Sequence, residues 1–116
     1  MSFSVNEFQL PKAQNVNVTD DTLTVDLTDG RTILVPLTWY PRLLYGTPKE
    51  RDIWEFIGDG EGIHWPELDE DLSIKGIILG NQSGESQRSF KKWLDRRAKE
   101  GKTTKLPSET MVLQTQ

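Results

Sequence analysis

The chain is 116 residues long, 34% hydrophobic and 28% charged, with a formal net charge of −4 and no cysteine. That length sets one domain, or one domain with a tail, and buries roughly two-thirds of the unfolded surface in one modest core. Without cysteine, disulfides, thiolate metal centres and Cys nucleophiles are excluded. No apolar run reaches the ~20 residues of a bilayer-spanning helix and no basic-then-apolar leader opens the chain, so a cytoplasmic protein with no membrane partner is expected.

Residues 1–15 carry no clear period and are expected to be loosely held. From Val16 to Leu37 the pattern predicts a three-stranded meander with turns at Asp20-Asp21 and Asp29-Gly30, the second a strong hairpin dipeptide. Two-residue loops at both turns set Val18 opposite Leu23, Val16 opposite Val25 and Leu34 opposite Val25, with Leu27 on the same face. Asn17, Thr24 and Asp26 alternate with them toward water. Ile33, Leu34, Val35 and Leu37 point both ways, so the third strand is expected to be central or covered on both faces.

Two short helices should follow. Thr38 can cap the first, with Pro41 in its first turn and Gly46 as a terminating residue of positive φ. Thr47, Pro48 and Glu50 supply an N-cap, an N1 proline and the N3 acid of a capping box, and Ile53 and Trp54 would close that helix. Phe56-Ile57, Gly58-Asp59-Gly60-Glu61 and Ile63-His64-Trp65 read as a hairpin that Pro66 ends. Leu68 to Leu72 reads as an acidic loop, and Ser73 as the cap of a helix from Ile74 to Leu79 stopped by Gly80.

Residues 81–85 read as a polar joint. A helix is predicted over 86–100, because Phe90, Trp93, Leu94 and Arg97 recur at i, i+3, i+4, i+7. Arg88, Lys91, Lys92, Arg96 and Lys99 complete its basic complement. Residues 101–116 are polar, with Pro107 barring a continued helix, and are expected to be disordered. The class is therefore α+β: a small antiparallel β-meander with short helices on one face in residues 16–80, plus a C-terminal amphipathic helix.

Charge is segregated along the chain. Residues 1–85 hold six Lys/Arg against fifteen Asp/Glu, whereas 86–105 hold eight (Arg88, Lys91, Lys92, Arg96, Arg97, Lys99, Lys102, Lys105) against Asp95 and Glu100. An acidic body with a basic segment fits an interaction protein, and it equally fits a solvated helix face.

Four groups of residues are candidates for function. His64 stands beside Trp65 and near Asp69, Glu70 and Asp71, where a base or metal ligand would want carboxylates. No HExxH, paired His or nucleophile motif accompanies it, so a structural strand histidine is the expectation. Glu67, Asp69, Glu70 and Asp71 lack the spacing and glycine of a calcium loop. They either cap the following helix or form a docking surface for a basic partner. Trp39, Tyr40, Arg42 and Arg51 mix aromatic and guanidinium groups, as interfaces do, or pack and pair internally with Glu50, Asp52 or the acidic loop. The basic helix can meet phosphates through counterion release. No Gly-rich phosphate loop is present, and no catalytic residue, metal or cofactor is expected.

The chain also resembles a small prokaryotic family, domain of unknown function 2442. The resemblance rests on Asp29-Gly30-Arg31, Val35-Pro36-Leu37, Trp39-Tyr40-Pro41-Arg42-Leu43, Glu50-Arg51 with Trp54, and Gly62-Ile63-His64-Trp65-Pro66 followed by Leu68-Asp69-Glu70-Asp71. It covers about Val16 to Gly80. It implies a small α+β domain without established catalysis, followed in some members by a DNA-binding helix-turn-helix. It also implies a second small protein encoded beside it, in an arrangement similar to toxin–antitoxin pairs. The tail departs from the two-domain members, since it holds one basic helix. Together these features predict a non-enzymatic protein-binding module, antitoxin-like, whose partner is another small protein. The alternative is a small nucleic-acid-binding regulator that uses the basic helix.

Overall fold

The turns decide the first meander. The computed structural model describes residues 10–102, in which β1 (Ala13–Val18), β2 (Thr22–Leu27) and β3 (Thr32–Pro36) pair antiparallel in that order. Between β1 and β2 the two-residue loop Asp20-Asp21 holds, closed by the Thr19 N–H on the Thr22 carbonyl at 2.9 Å, and Val16 and Val18 face Val25 and Leu23.

Between β2 and β3 the expected register fails by one residue. The loop is Thr28-Asp29-Gly30, not Asp29-Gly30 alone. Gly30 (φ +95°) donates to the Leu27 carbonyl while the Leu27 N–H meets the Arg31 carbonyl at 2.8 Å. A turn followed by a left-handed glycine adds one residue to the loop, and a one-residue slip reverses every side chain beyond it. Val25 therefore faces Ile33, Leu23 faces the buried Val35, and Leu34 sits opposite Thr24 on the water face, 66% exposed. Among the described residues the third strand is an edge, and its outer face is open.

β1 begins at Ala13, earlier than expected. A bulge between Ala13 and Asn15 keeps both Ala13 and Val16 directed inward. The expectations for residues 1–9 and 103–116 lie outside the described residues.

A 3₁₀ turn (Leu37–Trp39) leads to α1 (Pro41–Tyr45), so Pro41 occupies N1 and Thr38 does not cap. Gly46 has φ −72°, not the positive φ expected of it. It is required for space, because a Cβ there would lie 2.8 Å from the Leu68 Cδ2. α2 (Pro48–Arg51) carries the full capping box of Thr47 and Glu50 but ends before Ile53 and Trp54.

The expected hairpin forms from β4 (Glu55–Ile57) and β5 (Gly62–Trp65), with Gly58 and Gly60 at positive φ. A third strand, β6 (Glu70–Ser73), pairs with β5 where the acidic loop was expected, giving a second meander of order β4-β5-β6. Pro66 does end β5, and Asp69 at φ +52° turns the chain back. The two meanders touch at Gly60, whose carbonyl accepts the Ala13 N–H at 2.8 Å. α3 (Ile74–Ile78) starts on the Ser73 hydroxyl and stops at Gly80 (φ +78°) as expected.

α4 (Gln87–Lys99) is capped by Ser86 and docks through the stripe foreseen for it. Trp93 joins one core with Leu23, Val25, Leu27, Leu37, Tyr40, Leu43, Ile63, Trp65, Leu68, Ile74 and Ile77, while Phe90 and Leu94 pack on its edge. The class is α+β, as the pattern implied.

Candidate functional site

Three arginines, all buried, join the helices to the sheets. Arg51 donates from Nε and Nη2 to the Leu43 and Leu44 carbonyls at 2.8 Å each, closing the C-terminal end of α1, and from Nη1 to Asp20 at 3.2 Å. Its own carbonyl accepts the Trp65 indole N–H at 3.0 Å. Arg97, counted among the basic residues of 86–105 but placed on the apolar stripe, lies on the inner face of α4 and grips Glu50 with two bonds of 2.9 Å. Glu50 also completes the α2 capping box. Burial pushes its carboxyl up, but the Arg97 and Thr47 hydrogen bonds outweigh this and hold it below the usual range.

Arg42, from α1, is the centre of the site. It donates from Nε and Nη2 to both oxygens of Glu85 and from Nη1 to the Asp69 carbonyl at 3.0 Å, and it sits 5.3 Å from the Trp93 ring centroid. Arg97 lies over the same ring at 4.9 Å. Such contacts each supply about 1–2 kcal/mol when desolvated. The paired Glu85 raises Arg42 above its ordinary value, and Glu85 in turn is held low by Arg42 and Ser89. The segment 81–86 is held at several points: Ser83 N–H donates to the Trp39 carbonyl at 2.9 Å and the Tyr40 hydroxyl to the Asn81 carbonyl at 3.3 Å.

Between this segment, β6 and the start of α4 lies an open polar cleft of about 480 Å³, lined among others by Tyr40, Arg42, Glu70, Glu85 and Ser89. Strand alternation explains what enters it. Glu70 pairs with the buried Trp65 in register and points inward, whereas Asp71, opposite His64, points outward. Burial pushes the Glu70 carboxyl up to about 7, against the pull of Arg42. Burial, with Glu70 nearby, also raises the Tyr40 phenol.

On the outer side, His64 pairs with Asp71 across β5 and β6 and stands opposite Glu55 on β4. The hydrogen bond to Asp71 raises the imidazole above its ordinary value.

The structure thus separates the residues that sequence grouped together. Glu67 is exposed in the turn after Pro66, Asp69 reaches Arg42, Glu70 enters the cleft and Asp71 takes His64. Ser73, not Asp69 or Asp71, caps α3. Among the described residues no three His, Asp or Glu side chains converge as metal ligands. Tyr40, Arg42, Arg51 and Arg97 are buried and Trp39 is half-buried, so their contacts are mainly internal. The Arg97–Glu50 pair was not anticipated. Its one signal is Arg97's place on the apolar stripe of α4.

Sequence missed one exposed apolar surface. Among the described residues β4 is an edge strand of the second meander, with Phe56 and Ile57 38% and 42% exposed on it and Ile53, just before it, 40% exposed. Trp54 meets Phe56 edge-on, with ring centroids 5.0 Å apart. Exposed Asp52, Glu55 and Glu61 flank them.

The comparisons match this architecture. Residues 13–83 match the family described as Protein of unknown function (DUF2442). The chain belongs to that family. A crystal structure of a protein of unknown function from Rhodospirillum rubrum is 27% identical, with a TM-score of 0.58 over 68% of this chain and 98% of its own. A solution NMR structure of an uncharacterised protein from Chromobacterium violaceum is 18% identical, with a TM-score of 0.56 over 75% of this chain and 78% of its own, a likeness of fold. No curated protein matches. The DUF2442 match ends at residue 83, before α4, yet α4 contributes Trp93 and Arg97 to this chain's core.

Proposed function

We propose that this DUF2442 protein is a non-enzymatic protein-binding module that accepts an extended segment of a partner protein along β4. The observation that carries the reading is the open edge of that strand. Among the described residues no strand pairs with β4 on its outer side, and Phe56 and Ile57, on opposite faces of the strand, are both exposed. An unpaired strand edge offers a row of backbone donors and acceptors, and an added strand obtains affinity from them and specificity from alternate side-chain sites. Asp52, Glu55 and Glu61 beside the strip set the chemistry of the occupant: an apolar strand interleaved with Lys or Arg.

The test is an Ile57→Lys substitution, which places a cation against a basic partner on an exposed site. A partner isolated with the wild-type chain from its host is purified and titrated against both proteins. Binding at least tenfold weaker for Ile57→Lys, with slowed amide exchange at residues 55–57 in the wild-type complex, supports the reading. Equal affinity for both proteins, or protection confined to other elements, refutes it.

A further inference from the structure

The outer face of α4 carries a second, independent surface. On a helical wheel Arg88, Lys91, Lys92, Arg96 and Lys99 fall in one sector, opposite Phe90, Trp93, Leu94 and Arg97. All five are exposed, and none is in an ion pair with a described residue. The twelve residues from Arg88 to Lys99 span about 16 Å of helix axis. Asp95 is the only acid within the stripe, and a shallow groove runs along Ser89, Lys92, Asp95, Arg96 and Lys99.

What the face lacks identifies its occupant. A protein interface has an apolar or aromatic core within its polar rim, and this sector holds no large apolar side chain. A membrane-surface helix buries its apolar side in lipid, but here that side is turned into the protein, with Trp93 in the core. Single-stranded nucleic acid is held by stacking on aromatic rings, and all the aromatic residues of α4 lie inward. A phosphate backbone needs only a row of cations. Each cation also stands on a rigid helix, fixed by the Arg97–Glu50 and Arg42–Glu85 pairs.

We propose that the outer face of α4 is a sequence-independent contact surface for the phosphate backbone of a nucleic-acid duplex. The acidic body confines the contact to this helix, so at most five phosphates are neutralised and the affinity is steeply salt-dependent.

The experiment is fluorescence anisotropy with a labelled 20-base-pair DNA duplex and the full chain, from 20 to 200 mM salt. The expected result is binding at 20 mM salt, with a slope of log K against log salt near −4 and a loss of roughly three-thousandfold by 150 mM. A duplex of scrambled sequence should bind equally well. Lys92→Gln with Lys99→Gln should keep the wild-type melting temperature and reduce the slope by about two units. Arg88→Gln with Lys91→Gln should do the same. No binding at 20 mM salt, or an unchanged slope in both double variants, overturns the proposal. Tighter binding of polyglutamate or of phosphatidylserine vesicles than of the duplex also overturns it, and assigns the face to an acidic protein or to a lipid surface.

Discussion

Replacing Glu70 by glutamine should stabilise the protein at alkaline pH and leave it almost unchanged in acid. Glu70 lies on the inward side of β6, and its folded pKa is about 7 against an ordinary 4.5. For a raised acid the stability is fully present below the unfolded pKa and is lost as pH rises through the folded one. The whole shift corresponds to a ceiling of about 3 kcal/mol of destabilisation at pH 8. The cleft is open to water, which screens the charge and reduces the expected cost to about 1–2 kcal/mol. Glutamine keeps the shape without the charge. Thermal melts of both proteins at pH 8 should therefore differ by roughly 4–8 °C in favour of Glu70→Gln, and by a small fraction of that at pH 4.5. The competing force is Arg42, which favours the ionised form. If Glu70→Gln melts lower than wild type at pH 8, or the difference is the same at both pH values, Arg42 outweighs burial and the argument fails.

Two further outcomes follow from the packing. Arg97→Ala strands the Glu50 carboxylate and removes a cation from Trp93, so urea unfolding should show a loss of about 3–5 kcal/mol at pH 7. Because Glu50 is held below its ordinary pKa, that loss should shrink as pH falls through the folded value. The slipped register is checked by a pair of substitutions: Leu34→Thr should change stability by less than about 0.5 kcal/mol, whereas Val35→Ala should cost about 1–3 kcal/mol. The unslipped register predicts the reverse order.

Where a local signal decides the structure, the sequence was legible. Thr47, Pro48 and Glu50 form their capping box, Ser73 caps α3, and the stripe of α4 turns inward. Leu34 was misplaced because Asp29-Gly30 is compatible with both a two- and a three-residue loop, and nothing local distinguishes them. β6 was missed because Glu70, Asp71 and Ser73 are poor strand formers, placed there by pairing with β5 rather than by propensity. The same omission hid the site. Glu70 and Asp71 looked like one acidic cluster, and only a strand sends adjacent carboxylates to opposite faces. The β4 surface was hidden for a related reason, since exposure at an edge depends on strand order and not on composition.

The bond between Arg97 and Glu50 also bears on synthesis. The two residues are 47 positions apart in the chain, so Glu50 emerges from the ribosome well before its partner exists. At about 5–20 residues per second, that wait is several seconds. Meanwhile Thr47 can satisfy the Glu50 carboxyl locally through the capping box, which holds α2 in shape. Trp93 and Arg97 arrive later and close a core whose other walls precede them in the chain. Until then Tyr45 lacks the edge-on contact with Phe90 of α4. A pause or a premature stop between residues 85 and 93 would release a nascent domain with an open apolar face, a form suited to chaperone capture and to proteolysis.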